Sequence, residues 1–290
     1  MQLNSKQHLQ ITGILELAEN DLLFKASYSK NSPLGNQNET LLIRQAGTTT
    51  SLLRAFDTEI KILLSTPNNG ITAISSFGDI YMFDGQQWQD QQTEPEDPEY
   101  IFAALAWEDD IYACCTLGKV MKFNGQQWQV LSDDLSGEEL DTYDLCMTQD
   151  GLVVCGEDGL LVCKKPTGSD VYDIPTNVSL MSIVQTRTEE LACVGRKGTM
   201  LIGSKDSWSL VDTHGIEANL SDITRWREHL YVSANQQILE FDQHILINKY
   251  DIPSFNVISL STSLWSIGLQ SLHQFDGQNW QEIIIHLDLS

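Results

Sequence analysis

The chain is poor in basic residues: seventeen Lys and Arg stand against forty Asp and Glu in 290 residues, a formal net charge of −23. Such a surface repels a phosphate backbone, which argues against nucleic acid as a ligand. Long apolar runs are missing as well. The longest, Ile101 to Trp107, falls far short of the roughly 20 residues that a membrane helix needs, so no membrane association is expected. The opening segment MQLNSKQHLQITG has no apolar h-region and no small-residue cleavage site, so no secretion signal is expected. Cys114, Cys115, Cys146, Cys155, Cys163 and Cys193 form no CxxC pair. They lie mostly in apolar, strand-like runs and read as small buried hydrophobes kept reduced in a cytoplasm.

Signatures of catalysis are equally scarce. The histidines (His8, His214, His229, His244, His273 and His286) show no HxH, HxxxH or His-Glu-x-x-His spacing. There is no Gly-x-Ser-x-Gly elbow, no EF-hand-like loop and no phosphate-binding glycine loop. No catalytic residue, cofactor or resident metal is therefore expected, and the chain reads as a non-enzyme. Residues from distant parts of the chain could still converge on a metal, because spacing does not reveal such a site.

What is present is a repeat. FDGQQWQ at 83–89, FNGQQWQ at 123–129 and FDGQNWQ at 275–281 are nearly identical. Gly78, Gly118, Gly159 and Gly198 follow one another at intervals of 40, 41 and 39 residues, each between two short apolar runs. Runs of four to eight residues bounded by Gly, Asp or Asn are the mark of strands in hairpins. In the 99–132 unit, strand a is expected at 100–107, b at 111–117, c at 119–123 and d at 126–131. The Asn-Gly and Asp-Gly pairs suggest two-residue turns from c to d. Seven such units are counted: 11–53, 55–92, 99–132, 141–175, 178–213, 219–253 and 255–287. The first carries an insertion, SKNSPLGNQNE, between b and c.

Units of four strands and about 40 residues are the sequence sign of a β-propeller, whose blades pack radially around a channel. The fold class expected is all-β, a single domain over 1–290 forming one seven-bladed propeller of four-stranded antiparallel blades; six or eight blades stay open. The chain resembles seven-bladed propellers of the WD40 and kelch type, and bacterial propellers with a Gly-x-x-Trp outer strand. It lacks the Gly-His and Trp-Asp marks of the first and the double glycine of the second. Trp88, Trp128, Trp208 and Trp280 share one place on strand d. A residue repeated in every copy of an array usually packs between copies, although a sugar-stacking role is the rival reading.

The acidic residues are concentrated. From Asp90 to Asp158 there are seventeen acids and two bases, which accounts for fifteen of the 23 net negative charges on under a quarter of the chain. In an up-and-down blade, d-to-a links and b-to-c turns lie on one side of the disc. Glu94, Glu96, Asp97 and Glu99 fall in one link. Asp133, Asp134, Glu138, Glu139 and Asp141 fall in the next, and Glu157 and Asp158 in a b-to-c turn. All are expected on the same face, where they would dock a basic protein partner and speed its encounter. The resulting reading is a non-catalytic protein-binding propeller. Its concrete version is an inhibitor or immunity-type protein of a bacterial toxin. A metal-dependent hydrolase or lyase with a channel site, and a carbohydrate-binding propeller, are the alternatives.

Overall fold

The structure, a computed structural model, describes residues 9–32, 35–66, 70–91, 100–132, 134–135, 137–205, 207–242 and 245–285. Among them, 28 strands form seven separate four-stranded sheets. Each sheet takes four consecutive strands in order, all paired antiparallel, and the seven span 10–56, 60–91, 101–132, 142–171, 180–210, 222–250 and 256–282. The first strands of successive blades pack side by side around the axis. This is a seven-bladed β-propeller. No described helix is long and apolar enough to cross a membrane.

Burial follows strand position. The second strands Leu152–Gly156 and Leu191–Gly195 are buried along their whole length, because sheets cover both of their faces. The outer strand Gly168–Val171 is exposed throughout. Cys114, Cys115, Cys155, Cys163 and Cys193 are buried, Cys146 is half-buried, and no disulfide joins any of the six. Desolvation pushes the thiols of Cys114, Cys155 and Cys193 well above their usual range, so they behave as apolar filling.

The repeated heptapeptide now has a physical reading. Phe83 pairs with Trp88, Phe123 with Trp128, and Phe275 with Trp280. The c-to-d loop therefore has four residues, not the two expected from the Asn-Gly and Asp-Gly pairs. The loop-opening side chain changes the geometry: Asp84 Oδ1 accepts the amides of Gln86 and Gln87 at 2.8 Å each. Asn124 and Asp276 do the same. The following glycine still takes a positive φ, 97° at Gly85 and 106° at Gly277. The b-to-c turns need glycine for closeness as well as torsion. At Gly198 (φ +66°) a Cβ would lie 1.7 Å from the carbonyl oxygen of Ile216, in the link to the next blade.

The outer tryptophans join neighbouring blades. The Trp88 ring lies 5.7 Å from Phe56 of blade 1, Trp208 lies 5.9 Å from Tyr172 beyond blade 4, and Trp280 lies 5.7 Å from Tyr250 of blade 6. Trp128 reaches back instead through a hydrogen bond, Nε1 donating to the Gly78 carbonyl at 2.8 Å. Arg54 stacks 4.8 Å from Trp88 and pairs bidentately with Asp90 at 2.7 and 2.6 Å, tying blades 1 and 2. Side-chain packing and hydrogen bonds close the ring between blades 7 and 1. Phe24 meets Trp265 at 5.9 Å, and the Glu16 carboxylate accepts the amide and hydroxyl of Ser261 at 2.7 and 2.6 Å.

The two kinds of tryptophan give a stability prediction. The buried Nε1 of Trp88 has no hydrogen-bond partner among the described residues, whereas that of Trp128 is bonded. Removing a bonded donor loses its hydrogen bond to Gly78, and removing an unbonded one relieves a desolvated group. Trp128→Phe should therefore destabilise by about 1 kcal/mol more than Trp88→Phe in urea unfolding. Equal losses would contradict this assignment.

Candidate docking face and central channel

The b-to-c turns and d-to-a links do lie together, joined by backbone bonds. The link after blade 3 folds over that blade's own turn: Leu135 is buried, and its amide donates to the Gly118 carbonyl at 3.2 Å. Asp134 Oδ1 accepts the Gly137 amide at 2.9 Å. Asp141 Oδ1 accepts the amide of Leu117 at 2.9 Å. Glu157 then connects the link to the blade 4 turn. Its carboxylate accepts the Asp141 amide at 3.1 Å and the Tyr143 hydroxyl at 3.0 Å. Burial, reinforced by Glu157, pushes the Tyr143 phenol up to about 12.

Six of the eleven acids singled out from the sequence are thus brought into one neighbourhood, and they divide by role. Asp134, Asp141 and Glu157 spend oxygens on turn amides and hold the loops in place. Glu138, Glu139 and Asp158 are exposed. Glu94, Glu96, Asp97, Glu99 and Asp133 lie outside the described residues. The patch has an end: Arg196 and Lys197 are exposed at the blade 5 turn. The insertion in blade 1 lengthens its b-to-c hairpin. Asp21–Ser32 and Gly35–Ala46 pair out to Ser32 opposite Gly35, five pairs beyond Ser27 and Thr40. At about 3.3 Å per residue this raises a backbone arm of roughly 17 Å on the same side of the disc.

Sequence reasoning missed the apolar members of this face. Phe77 and Leu117 occupy turn tips and are about half exposed. Tyr100 lies between their turns, its ring 6.1 Å from Phe77 and its carbonyl accepting the Thr116 amide at 3.1 Å. The available signal was the pair of turns SSFGD and TLGK, which carry a large apolar residue where EDG and RKG are charged.

A second group faces the channel. Asp144, Ser182 and Asp222 belong to the innermost strands of blades 4, 5 and 6. Ser182 Oγ lies 2.8 Å from Asp144 Oδ2 and 3.1 Å from Asp222 Oδ1. The carboxylates also accept backbone amides across blade boundaries, Ile183 to Asp144 and Val257 to Asp222, each at 2.9 Å. One hydroxyl hydrogen cannot serve two carboxylates. When one carboxyl is protonated its O–H can donate to Ser182, and both contacts are then hydrogen bonds at once. Burial raises both carboxyls, and Asp144 adds to the rise at Asp222, which reaches about 7. No cation among the described residues forms an ion pair with either one. The titratable neighbours of Asp144 are the neutral thiols of Cys114, Cys146, Cys155 and Cys193. Elsewhere in the ring, burial and the nearby Lys61 lower the Lys25 ammonium to about 8 while it donates to the Lys61 carbonyl.

Among the described residues the histidines do not gather; His8, His244 and His286 lie outside them. His229 lies 3.4 Å from Glu240, His214 lies 3.7 Å from Asp212, and His273 is half-buried with its pKa lowered by desolvation. Among the described residues, no group of three or more His, Cys, Asp or Glu could hold a metal ion.

Comparison with known proteins adds the following. No family model matches the chain. It is 25% identical over 114 residues to the immune protein Tsi7 of Pseudomonas aeruginosa, a match that covers 38% of this chain and 37% of Tsi7. A solved structure of YCF48 bound to D1 peptide superposes with a TM-score of 0.68 at 13% identity, over 92% of this chain and 91% of that one. Sqt1 of Saccharomyces cerevisiae also gives 0.68 at 13% identity, over 96% of this chain and 85% of its own. At such identities the structural likeness establishes the propeller fold.

The channel group makes stability depend on pH in a known direction. A carboxyl whose folded pKa is raised binds its proton more tightly in the folded state. Its contribution is full below the unfolded value near 4 and is lost as pH rises toward 7. Asp222→Asn keeps the shape and removes the titration. Between pH 4.5 and 7 the stability of wild type should fall relative to Asp222→Asn, with a slope difference approaching about 1.4 kcal/mol per pH unit. Parallel curves in chemical denaturation would remove the shared proton from the account.

Proposed function

We propose that the chain is a non-catalytic, cytoplasmic binding propeller. It docks a basic protein partner through the acidic face over blades 2 to 4, in the manner of an immunity protein that masks a toxin. The observation that carries this reading is the exposure of Glu138, Glu139 and Asp158 on adjoining loops that hydrogen bonds of Asp134, Asp141 and Glu157 hold. Concentrated like charge opposes folding through self-repulsion, and complementary charge on a partner relieves it while raising the association rate. The partial similarity to the immune protein Tsi7 supports the toxin-directed version. Six largely buried cysteines without a disulfide among them support a reducing compartment.

The test is quantitative binding of a partner captured from the native cells. Glu138→Lys, Glu139→Lys and Asp158→Lys together should slow association about tenfold or more at low salt and leave thermal unfolding nearly unchanged. The same should hold for charge reversal at Glu94, Glu96, Asp97 and Glu99. Wild-type association by folded variants of both kinds would refute the docking face.

A further inference from the structure

The acidic face also carries two apolar turn tips. Phe77 and Leu117 are 53% and 48% exposed, and they crown the b-to-c turns of blades 2 and 3. Backbone bonds fix the two turns relative to one another through one point. Ile101 donates to the Ser76 carbonyl at 2.9 Å, and the Tyr100 carbonyl accepts from Thr116 at 3.1 Å. The Tyr100 ring meets Phe77 edge-on and continues to Phe102 at 5.2 Å, which meets Tyr143 at 5.2 Å. A ridge of rings therefore runs from blade 2 to blade 4 and ends on Glu157, which binds the Tyr143 hydroxyl.

Leu117 is the informative member. Its φ is 55°, and the equivalent turn tips of blades 4, 5 and 6 take the same left-handed conformation with Asp158 (49°), Lys197 (55°) and Asn235 (57°). Asp and Asn tolerate that conformation through local hydrogen bonds; leucine, like Lys197, has none to offer, and unlike lysine it exposes apolar surface there. Folding alone favours a polar residue at this position. A strained, exposed leucine beside an exposed phenylalanine is the pattern of a contact residue.

We propose that Phe77, Tyr100 and Leu117 form the anchor for an amphipathic basic segment of a protein partner. One apolar side chain of the segment sits between the two turn tips, and flanking Lys or Arg side chains reach Glu138, Glu139 and Asp158. The occupant follows from charge complementarity: Lys61 lies over the Tyr100 ring at 5.2 Å, but Glu59 on Ser76, Asp141 on Leu117 and the exposed Glu138, Glu139 and Asp158 of the same face leave the surroundings of the turn tips acidic, which suits an apolar residue flanked by bases. This inference rests on the docking reading above and adds the anchor to it. Rim charges set the rate and salt sensitivity of binding, and the desolvated centre sets how long the complex lasts.

The experiment uses the full chain and two labelled peptides, one alternating leucine and lysine and one of lysine alone, followed by fluorescence anisotropy at low and high salt. The wild type should bind the leucine-lysine peptide about tenfold more tightly than the lysine peptide and retain it at higher salt. Phe77→Ser with Leu117→Asn should abolish that difference and leave lysine-peptide binding unchanged. Leu117→Asn alone should not lower thermal stability, because asparagine accepts the turn conformation. If both peptides bind the wild type equally, or if the preference survives in the double variant, the anchor is wrong and the acidic docking face stands. If neither peptide binds at low salt, both readings fail.

Discussion

Every blade of this protein depends on having a neighbour on each side. A four-stranded sheet exposes two apolar faces, and stacking sheets in a row leaves the end faces wet; closing the row into a ring leaves none. The closing contact is therefore the one on which the others rely. Here it brings Phe24, Leu41 and Ile43 of blade 1 against Trp265, Ile267 and Leu272 of blade 7, with Glu16 capping Ser261 at the seam. Among the described residues no strand is exchanged between first and last blades. Around the rest of the ring the same burial is repeated with different residues, and the outer tryptophans extend it to the rim.

The loops inherit their positions from that ring. Turn and link meet because consecutive blades are held at a fixed separation, so short polar contacts suffice to shape the face: one carboxylate to Leu117, another to Gly137, a third to Asp141 and Tyr143. Acids used in this way are part of the scaffold. Those left exposed, Glu138, Glu139 and Asp158, carry the field toward solvent, with the Phe77–Tyr100–Leu117 ridge beside them. The inside of the ring uses carboxyls differently. Asp144 and Asp222 stitch blades together through amides of the next strand, and Ser182 between them bonds both when one carboxyl is protonated.

Much of the architecture was legible in the sequence because it is local. The FDGQQWQ heptapeptide contains its own turn cap, its positive-φ glycine and the tryptophan that packs against the preceding blade, and the 40-residue spacing announces how often the motif recurs. The length of the turn was misjudged because the capping carboxylate, invisible to a dipeptide rule, opens the loop to four residues. Strand order alone assigns the loop acids to one side of the disc, and for Asp134, Asp141 and Glu157 the hydrogen bonds between links and turns agree with it. Their division into scaffold and exposed residues could not be read that way, since it depends on which amide each oxygen reaches. The channel triad was beyond reach: Asp144, Ser182 and Asp222 are separated by about a blade each and meet only when the ring is closed. Phe77 and Leu117 looked like ordinary apolar residues, and only the turn geometry shows that they point away from the core.

The central claim is that a rigid ring presents the turn-and-link face of blades 2 to 4 to a protein partner. Hydrogen exchange of the chain alone and in complex with its captured partner tests this most directly. The account predicts slowed exchange confined to the segments around 76–78, 116–118, 134–141 and 157–159, with the inner strands protected equally in both states. Protection appearing instead on the opposite turns, around 108–109, 187–189 and 227–229, would contradict it.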